Sequence, residues 1–194
     1  MASPCMNMNR SDLSKMLQQS RVVVSADEID KTTTRMAAEI DARYEAQVPL
    51  VVCIMNGGLM LTANLMLKVK IHAKIDYLQT SRYRGNTRGG DLHWRIEPQQ
   101  SLEGRSVILV DDIFDEGHTL FNIVEYCKDH GASDVFSVVL LDKKHDRKVN
   151  GFRPDLIGLE VEDDYLVGFG MDYQEHFRHL PEIYALGGYL ADGE

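Results

Sequence analysis

The chain has 194 residues, 44% of them hydrophobic, with a formal net charge of −9 and a pI near 5.2. That is enough apolar material for one core and fits a single domain. The acidic balance argues against a nucleic-acid binder, which presents a basic face.

Local basic groups at 82–95 and 143–148 leave room for a small anionic ligand. No segment approaches the roughly 18 apolar residues of a membrane span. Residues 1–20 lack the continuous apolar run of a signal peptide, so a cytoplasmic protein is expected. Cys5, Cys53 and Cys127 are odd in number and widely spaced, which suits neither a disulfide framework nor a metal-spaced pair. Cys53 and Cys127 are expected as buried thiols.

Along the chain, VVVS at 22–25 reads as a short strand, and Ser25 with Glu28 has the spacing of a capping box. The helix that follows places Ile29, Thr33, Met36, Ile40 and Tyr44 on one stripe and should end near Gln47. PLVVCIM at 49–55 is an apolar run of strand length, as a strand buried on both faces requires. Asn56-Gly57-Gly58 breaks it, and LMLTANLMLKV continues as a helix. IHAKIDYLQTS at 71–81 reads as a strand, 82–91 as a long basic loop, and LHWRIEP as a strand beyond it.

SVILV at 106–110 is the next buried strand, Gly117 to His130 a helix stopped by Gly131, and DVFSVVLLD at 134–142 a further strand. Strands alternating with helices predict a central, mostly parallel sheet flanked by helices, an α/β fold. From 143 onward, short strands and turns such as DLIGLEV and YLVGFGM suggest a small lobe.

Residues 107–120, VILVDDIFDEGHTL, hold the most chemistry. Ligands of open parallel sheets bind beyond the carboxyl ends of the strands, so the turn after Val110 is an expected site. A helix start there offers unpaired N–H groups and partial positive charge to an anion. Gly117 permits close backbone approach and Thr119 supplies a hydroxyl. Asp111 and Asp112 repel a phosphate but suit sugar hydroxyls or a hard cation such as Mg²⁺. The competing reading is that these acids only complement the helix dipole.

An apolar strand, two acids, two apolar residues and then Asp-x-Gly-x-Thr resemble the phosphoribosyl-pyrophosphate motif of type I phosphoribosyltransferases. IMNGG at 54–58, SRY at 81–83, LLDKK at 140–144, FRPDLIGLEV and DYLVGFGMDYQEHFRHLPEIYAL resemble the hypoxanthine-guanine members, in family order over about residues 20–186. The resemblance implies a type I phosphoribosyltransferase fold with a core at about 20–142 and a hood mainly from 143–190. It implies transfer of a phosphoribosyl group to a 6-oxopurine with Mg²⁺ as cofactor, and a homodimer or homotetramer with 57–80 as a contact surface.

The same resemblance implies roles. Asp111 and Asp112 would hold the ribose hydroxyls, directly or through Mg²⁺. Asp115 would be the general base at purine N7, in surroundings that the sequence makes acidic; its structural alternative is an N-cap. Glu116, Gly117, His118 and Thr119 would cradle the 5′-phosphate. Lys143 would read the purine 6-oxo group, Tyr165 would stack on the base, and Leu166 and Asp172 would give it backbone contacts. Asp172 would also help ligate a second Mg²⁺. Asn56 and Gly57, after a strained peptide, and Arg178 would bind pyrophosphate, while Arg82 and Tyr83 would belong to a loop that closes over the site.

Alternatives stay open: a surface lysine for Lys143, a core tyrosine for Tyr165, an ion-pair partner for Arg178. Asn56, Arg82 and Glu116 stand where the family commonly has lysine, serine and threonine. Glu116 would then act through its N–H, with its carboxylate turned to solvent. His176 and His179 lack supporting ligands and are expected to be structural or solvent-facing. Two rivals remain: a regulator of this fold that binds RNA or DNA, and an enzyme preferring xanthine.

Overall fold

The computed structural model describes residues 8–82, 92–149 and 151–187. In chain order the elements are α1 (Arg10–Gln18), β1 (Arg21–Val24), α2 (Ala26–Arg43), β2 (Leu50–Met55), α3 (Leu59–Met66), β3 (Lys74–Arg82) and β4 (Leu92–Ile96). Then come β5 (Ser106–Phe114), α4 (His118–Asp129), β6 (Asp134–Lys143), β7 (Leu156–Val161), β8 (Leu166–Val167) and β9 (Ile183–Ala185).

The main sheet runs β4-β3-β2-β5-β6-β7, parallel throughout except for β4. Its centre consists of the apolar runs, because strands covered on both faces must be apolar on both. In β5 the two faces separate cleanly. Ile108 and Val110 join a core with Met36 and Ile40 of α2 and Leu61 and Leu65 of α3. Val107 and Leu109 join a second core with Leu120, Ile123, Val124 and Cys127 of α4. Those four α4 positions repeat at helical spacing, and Cys53 and Cys127 are both buried free thiols.

Helix α2 starts where the capping pattern places it, with the Ser25 hydroxyl accepting from the Glu28 N–H. It buries Ile29, Thr33, Met36 and Ile40, with Tyr44 at its C-cap, and ends at Arg43 rather than near Gln47.

Two segments differ from expectation. DLIGLEV is not part of the lobe: it forms β7 and pairs in parallel with β6 at the edge of the main sheet. The lobe instead recruits β1 from the other end of the chain, in a small sheet ordered β1-β9-β8. A third core of Met16, Val167, Phe177 and Leu186 seats α1 on this sheet. No described helix is long and apolar enough to cross a membrane.

Chain order reverses between β2 and β5, since β3 and β4 extend to one side and β6 and β7 to the other. Such a reversal leaves a crevice at the carboxyl ends of the two strands, where open sheets bind ligands.

Candidate active site

The turn after β2 and the acidic end of β5 meet at this crevice. Strand β5 runs past Val110 and stays paired with β6 as far as Phe114, opposite Asp142. Asp111 and Asp112 therefore lie on a strand, not on a turn, and their own backbone groups hold them. Asp111 Oδ1 accepts from the Asp112 N–H at 3.0 Å, and Asp112 Oδ1 from the Ile113 N–H at 2.8 Å.

Burial pushes the Asp111 carboxyl well above its ordinary value, and the charge of Asp112 pushes it further. Burial also raises Asp112, which Asp111, the Ile113 N–H and the Arg178 charge partly pull back. Across the crevice Gly57 lies against the Asp112 carboxylate; a Cβ there would stand 2.2 Å from Oδ2. The Met55–Asn56 peptide that leads into this turn is cis.

The β5–α4 turn has the form an anion cradle needs. Gly117 caps α4 at φ +84°, where a side chain is disfavoured and a Cβ would meet the Phe114 ring at 2.3 Å. His118 is exposed and Thr119 half-buried. Glu116 is also half-buried, and its carbonyl accepts from the Val149 N–H at 2.8 Å.

Asp115 departs from expectation. Its surroundings are mixed, not acidic alone: His145 Nε2 lies 2.6 Å from Oδ1 and Lys143 Nζ 3.4 Å from Oδ2, with an Asp163 carboxylate oxygen within 4.8 Å. The cause is topological. Asp115 follows β5 and Lys143 ends β6, and these strands are parallel neighbours. Lys143 is 13% exposed at its side chain and also sits 3.5 Å from Asp163, so it is not a free surface lysine.

Asp112, Ile113, Asp115, Lys143, Tyr165, Leu166, Met171 and Asp172 line one pocket of about 230 Å³. Tyr165 is 38% exposed, so it is not a core tyrosine. Its hydroxyl donates to the Asp172 carbonyl at 3.3 Å, and burial with the Asp172 charge raises its pKa. Arg178 makes the ion pairs the sequence left open, to Asp172 at 2.7 Å and Glu175 at 3.2 Å, and donates to the Gly170 carbonyl. A larger groove of about 640 Å³ lies beside the end of α2, but its Asp41 is already taken up by the Lys70 and Ile71 N–H groups.

For a divalent cation the donor chemistry fits. Asp111, half-buried, and Asp112, buried beside it, are hard oxygen donors, and among the described residues neither is ion-paired to a basic side chain. Two carboxylates raised by burial, Asp111 further by the charge of Asp112, are what a bound dication would relieve. Asp172 is ion-paired to Arg178, and among the described residues the three acids form no single ligand cluster. Among the described residues one group of three possible ligands converges, Asp115, His145 and Asp163, and the ammonium of Lys143 already bridges its two carboxylates.

Comparison with known proteins bears directly on this arrangement. The model of the phosphoribosyl transferase domain matches residues 25–176. The chain belongs to the phosphoribosyltransferase family. It is 33% identical over 164 residues to the hypoxanthine-guanine phosphoribosyltransferase of Bacillus subtilis, covering 84% of this chain and 91% of the relative. The corresponding enzyme of Lactococcus lactis is 32% identical over 177 residues, covering 91% and 94%. A hypoxanthine phosphoribosyltransferase structure from Staphylococcus aureus superposes with a TM-score of 0.85 at 26% identity, over 97% of this chain and all of that one.

Within this phosphoribosyltransferase, the structure brings Asp112, Asp115, Lys143, Tyr165, Leu166 and Asp172 to one pocket, beside Asp111, the 116–119 turn and Gly57. Arg82 ends β3 opposite Leu92, while Tyr83 lies outside the described residues. His176 is half-buried and His179 exposed. Sequence reasoning missed His145 and Asp163. The signal for His145 was its place just after β6, since the residues that follow neighbouring parallel strands share one edge of the sheet.

Proposed function

We propose that the chain transfers the 5-phosphoribosyl group from phosphoribosyl pyrophosphate to a 6-oxopurine, hypoxanthine or guanine, and so serves purine salvage. The C1–oxygen bond to pyrophosphate breaks, the purine N9–C1 bond forms, and the purine gives up a proton. The observation that carries this reading is the convergence of Asp115, Lys143 and Tyr165 on one pocket, beside the acid pair and the turn at 116–119.

The 5′-phosphate is held by the backbone N–H groups of Glu116, Gly117, His118 and Thr119 at the start of α4. Asp111 and Asp112 hold the ribose hydroxyls and would hold Mg²⁺, and Asp172 would help to hold a second Mg²⁺. Bound there, the dication supplies charge neutralisation at the pyrophosphate oxygens. Asn56, Gly57 and Arg178 bind the pyrophosphate, the first two through backbone N–H groups. Tyr165 stacks on the base, Leu166 and Asp172 meet it through their backbones, and Lys143 donates to its 6-oxo oxygen. An ammonium is donor-only, so an adenine amino group there meets no acceptor. Asp115 accepts the proton at purine N7. Arg82 and Tyr83 begin the segment that would exclude water from the activated sugar.

A homo-oligomer in the cytoplasm accompanies this reading. Leu59, Leu67, Ile75 and Tyr77 are exposed apolar side chains within 57–80, the surface a second copy would cover. Sedimentation of the purified protein distinguishes dimer, tetramer and monomer.

Incubating the protein with phosphoribosyl pyrophosphate and Mg²⁺ tests the function, with hypoxanthine, guanine, xanthine and adenine supplied separately. Nucleotide should form from hypoxanthine or guanine and not from adenine. Turnover of xanthine alone would favour the xanthine enzyme. Tight nucleic-acid binding without turnover would favour the regulator, against which the charge of −9 speaks.

A further inference from the structure

Asp115 is attached to the loop after β6 as well as to its own turn. His145 stands two residues beyond the end of β6, and its side chain is only 5% exposed. Its Nδ1 accepts the Arg147 N–H at 3.1 Å. An imidazole that accepts at one nitrogen carries its proton on the other, so Nε2 is the donor. That donor lies 2.6 Å from Asp115 Oδ1. The same loop is tied to the phosphate turn by the Val149 N–H to Glu116 carbonyl bond. The other groups facing this corner are Lys143, Asp163 and Arg147, and Arg147 is spent on Asp163 at 2.7 Å.

We propose that His145 is a positioning residue for Asp115: its Nε2–H fixes Oδ1, leaving Oδ2 on the side of Lys143, toward the purine pocket. The inference rests on the reading of Asp115 as proton acceptor. A short carboxylate just beyond a strand end has two free torsions, and proton transfer requires one lone pair at hydrogen-bond distance from the base. The loop after β6 removes that freedom by holding one oxygen from a ring that its own backbone orients. The phosphate turn and the proton acceptor are thus set by one loop.

Steady-state kinetics with hypoxanthine on His145→Phe, His145→Gln and Asp115→Asn test this. Phe keeps the ring volume and removes the donor, whereas the Gln amide nitrogen reaches near the place of Nε2. His145→Phe should lower kcat roughly ten- to a hundredfold, as small misplacements of reacting groups do. KM for phosphoribosyl pyrophosphate should stay within about twofold, as for an interaction absent from donor binding. His145→Gln should recover most of kcat, and His145→Phe should cost little more once Asp115→Asn is present. If His145→Phe fails to fold, His145→Ala takes its place in the same comparison.

Wild-type kcat in His145→Phe overturns the proposal, as does an equal loss in His145→Gln or an undiminished loss on top of Asp115→Asn. All three leave the role of Asp115 standing. Wild-type turnover by Asp115→Asn itself removes both readings.

Discussion

Gly57 and Asp112 are in such close contact that a methyl group on the glycine would stand 2.2 Å from the carboxylate oxygen Oδ2. Gly57 stands two residues past the end of β2 and Asp112 lies within its neighbour β5, so the sheet holds the two backbones close together. Gly57→Ala must therefore displace the carboxylate. Overpacking of this kind costs about 1–3 kcal/mol. We expect a lower Tm and roughly five- to a hundredfold weaker binding of phosphoribosyl pyrophosphate, on the usual 1.4 kcal/mol per decade. Calorimetry on the variant checks both, and truncating Asp112 in the same background should restore the Tm but not the binding.

Asp111 gives a prediction of opposite sign for stability. Its folded-state pKa lies above the ordinary 3.8, so the folded chain binds more protons than the unfolded one just above that pH. Stability then falls as pH climbs through the window between the ordinary and the raised value, and stays lowered above it. Asp111→Asn removes this penalty. The ligand-free variant should melt higher than the wild type at pH 7, by about 2–4 °C for each kcal/mol relieved. The two should converge as pH drops toward 4. Binding of phosphoribosyl pyrophosphate with Mg²⁺ should weaken in the same variant. A melting curve that shows Asp111→Asn less stable at neutral pH contradicts the electrostatic account of the pair.

Lys143 should sort purines. A hydrogen bond from a charged donor is worth about 1.5–3 kcal/mol, so Lys143→Gln should raise KM for hypoxanthine roughly ten- to a hundredfold. KM for phosphoribosyl pyrophosphate should change little. Because an amide both donates and accepts, the variant should also gain some turnover of adenine. Initial rates with both bases measure the change.

Glu116 adds negative charge where a phosphate is to sit. Glu116→Thr should lower KM for phosphoribosyl pyrophosphate, most clearly at low ionic strength where repulsion is least screened. A KM series in salt checks it; a higher KM at every salt concentration would count against a phosphate at this turn.

Much of this was legible in the sequence because the strongest signals were redundant. VILVDDIFDEGHTL announced a buried strand, an acidic end and a glycine turn, and β5, Gly117 and α4 follow that pattern. Lys143 was placed at the end of a strand by the apolar run before it. What the sequence concealed was pairing across distance. DLIGLEV looked like lobe because no helix precedes it, yet β7 still finds the open edge of β6. Strand β1 closes onto β9 some 160 residues later, which no local pattern announces. Asp115 looked acidic in its surroundings because its chain neighbours are acids. Its spatial neighbours also include Lys143 from the end of the adjacent parallel strand and His145 from the loop after it, so its surroundings are mixed and not acidic alone.

Proton acceptance by Asp115 separates chemistry from binding. Asp115→Asn keeps the shape and loses the base, so kcat should fall by about 10²–10⁴. Binding of phosphoribosyl pyrophosphate by titration should be unchanged within error. Equal losses in both would assign Asp115 to binding.

The central claim is that the acid pair on β5 and the turn at 116–119 together grip the sugar donor. Its most direct test is a crystal structure with Mg²⁺ and phosphoribosyl pyrophosphate or an unreactive analogue. The account predicts the ribose against Asp111 and Asp112, with the 5′-phosphate at the N–H groups of 116–119. The donor bound elsewhere, with this crevice empty, would contradict it.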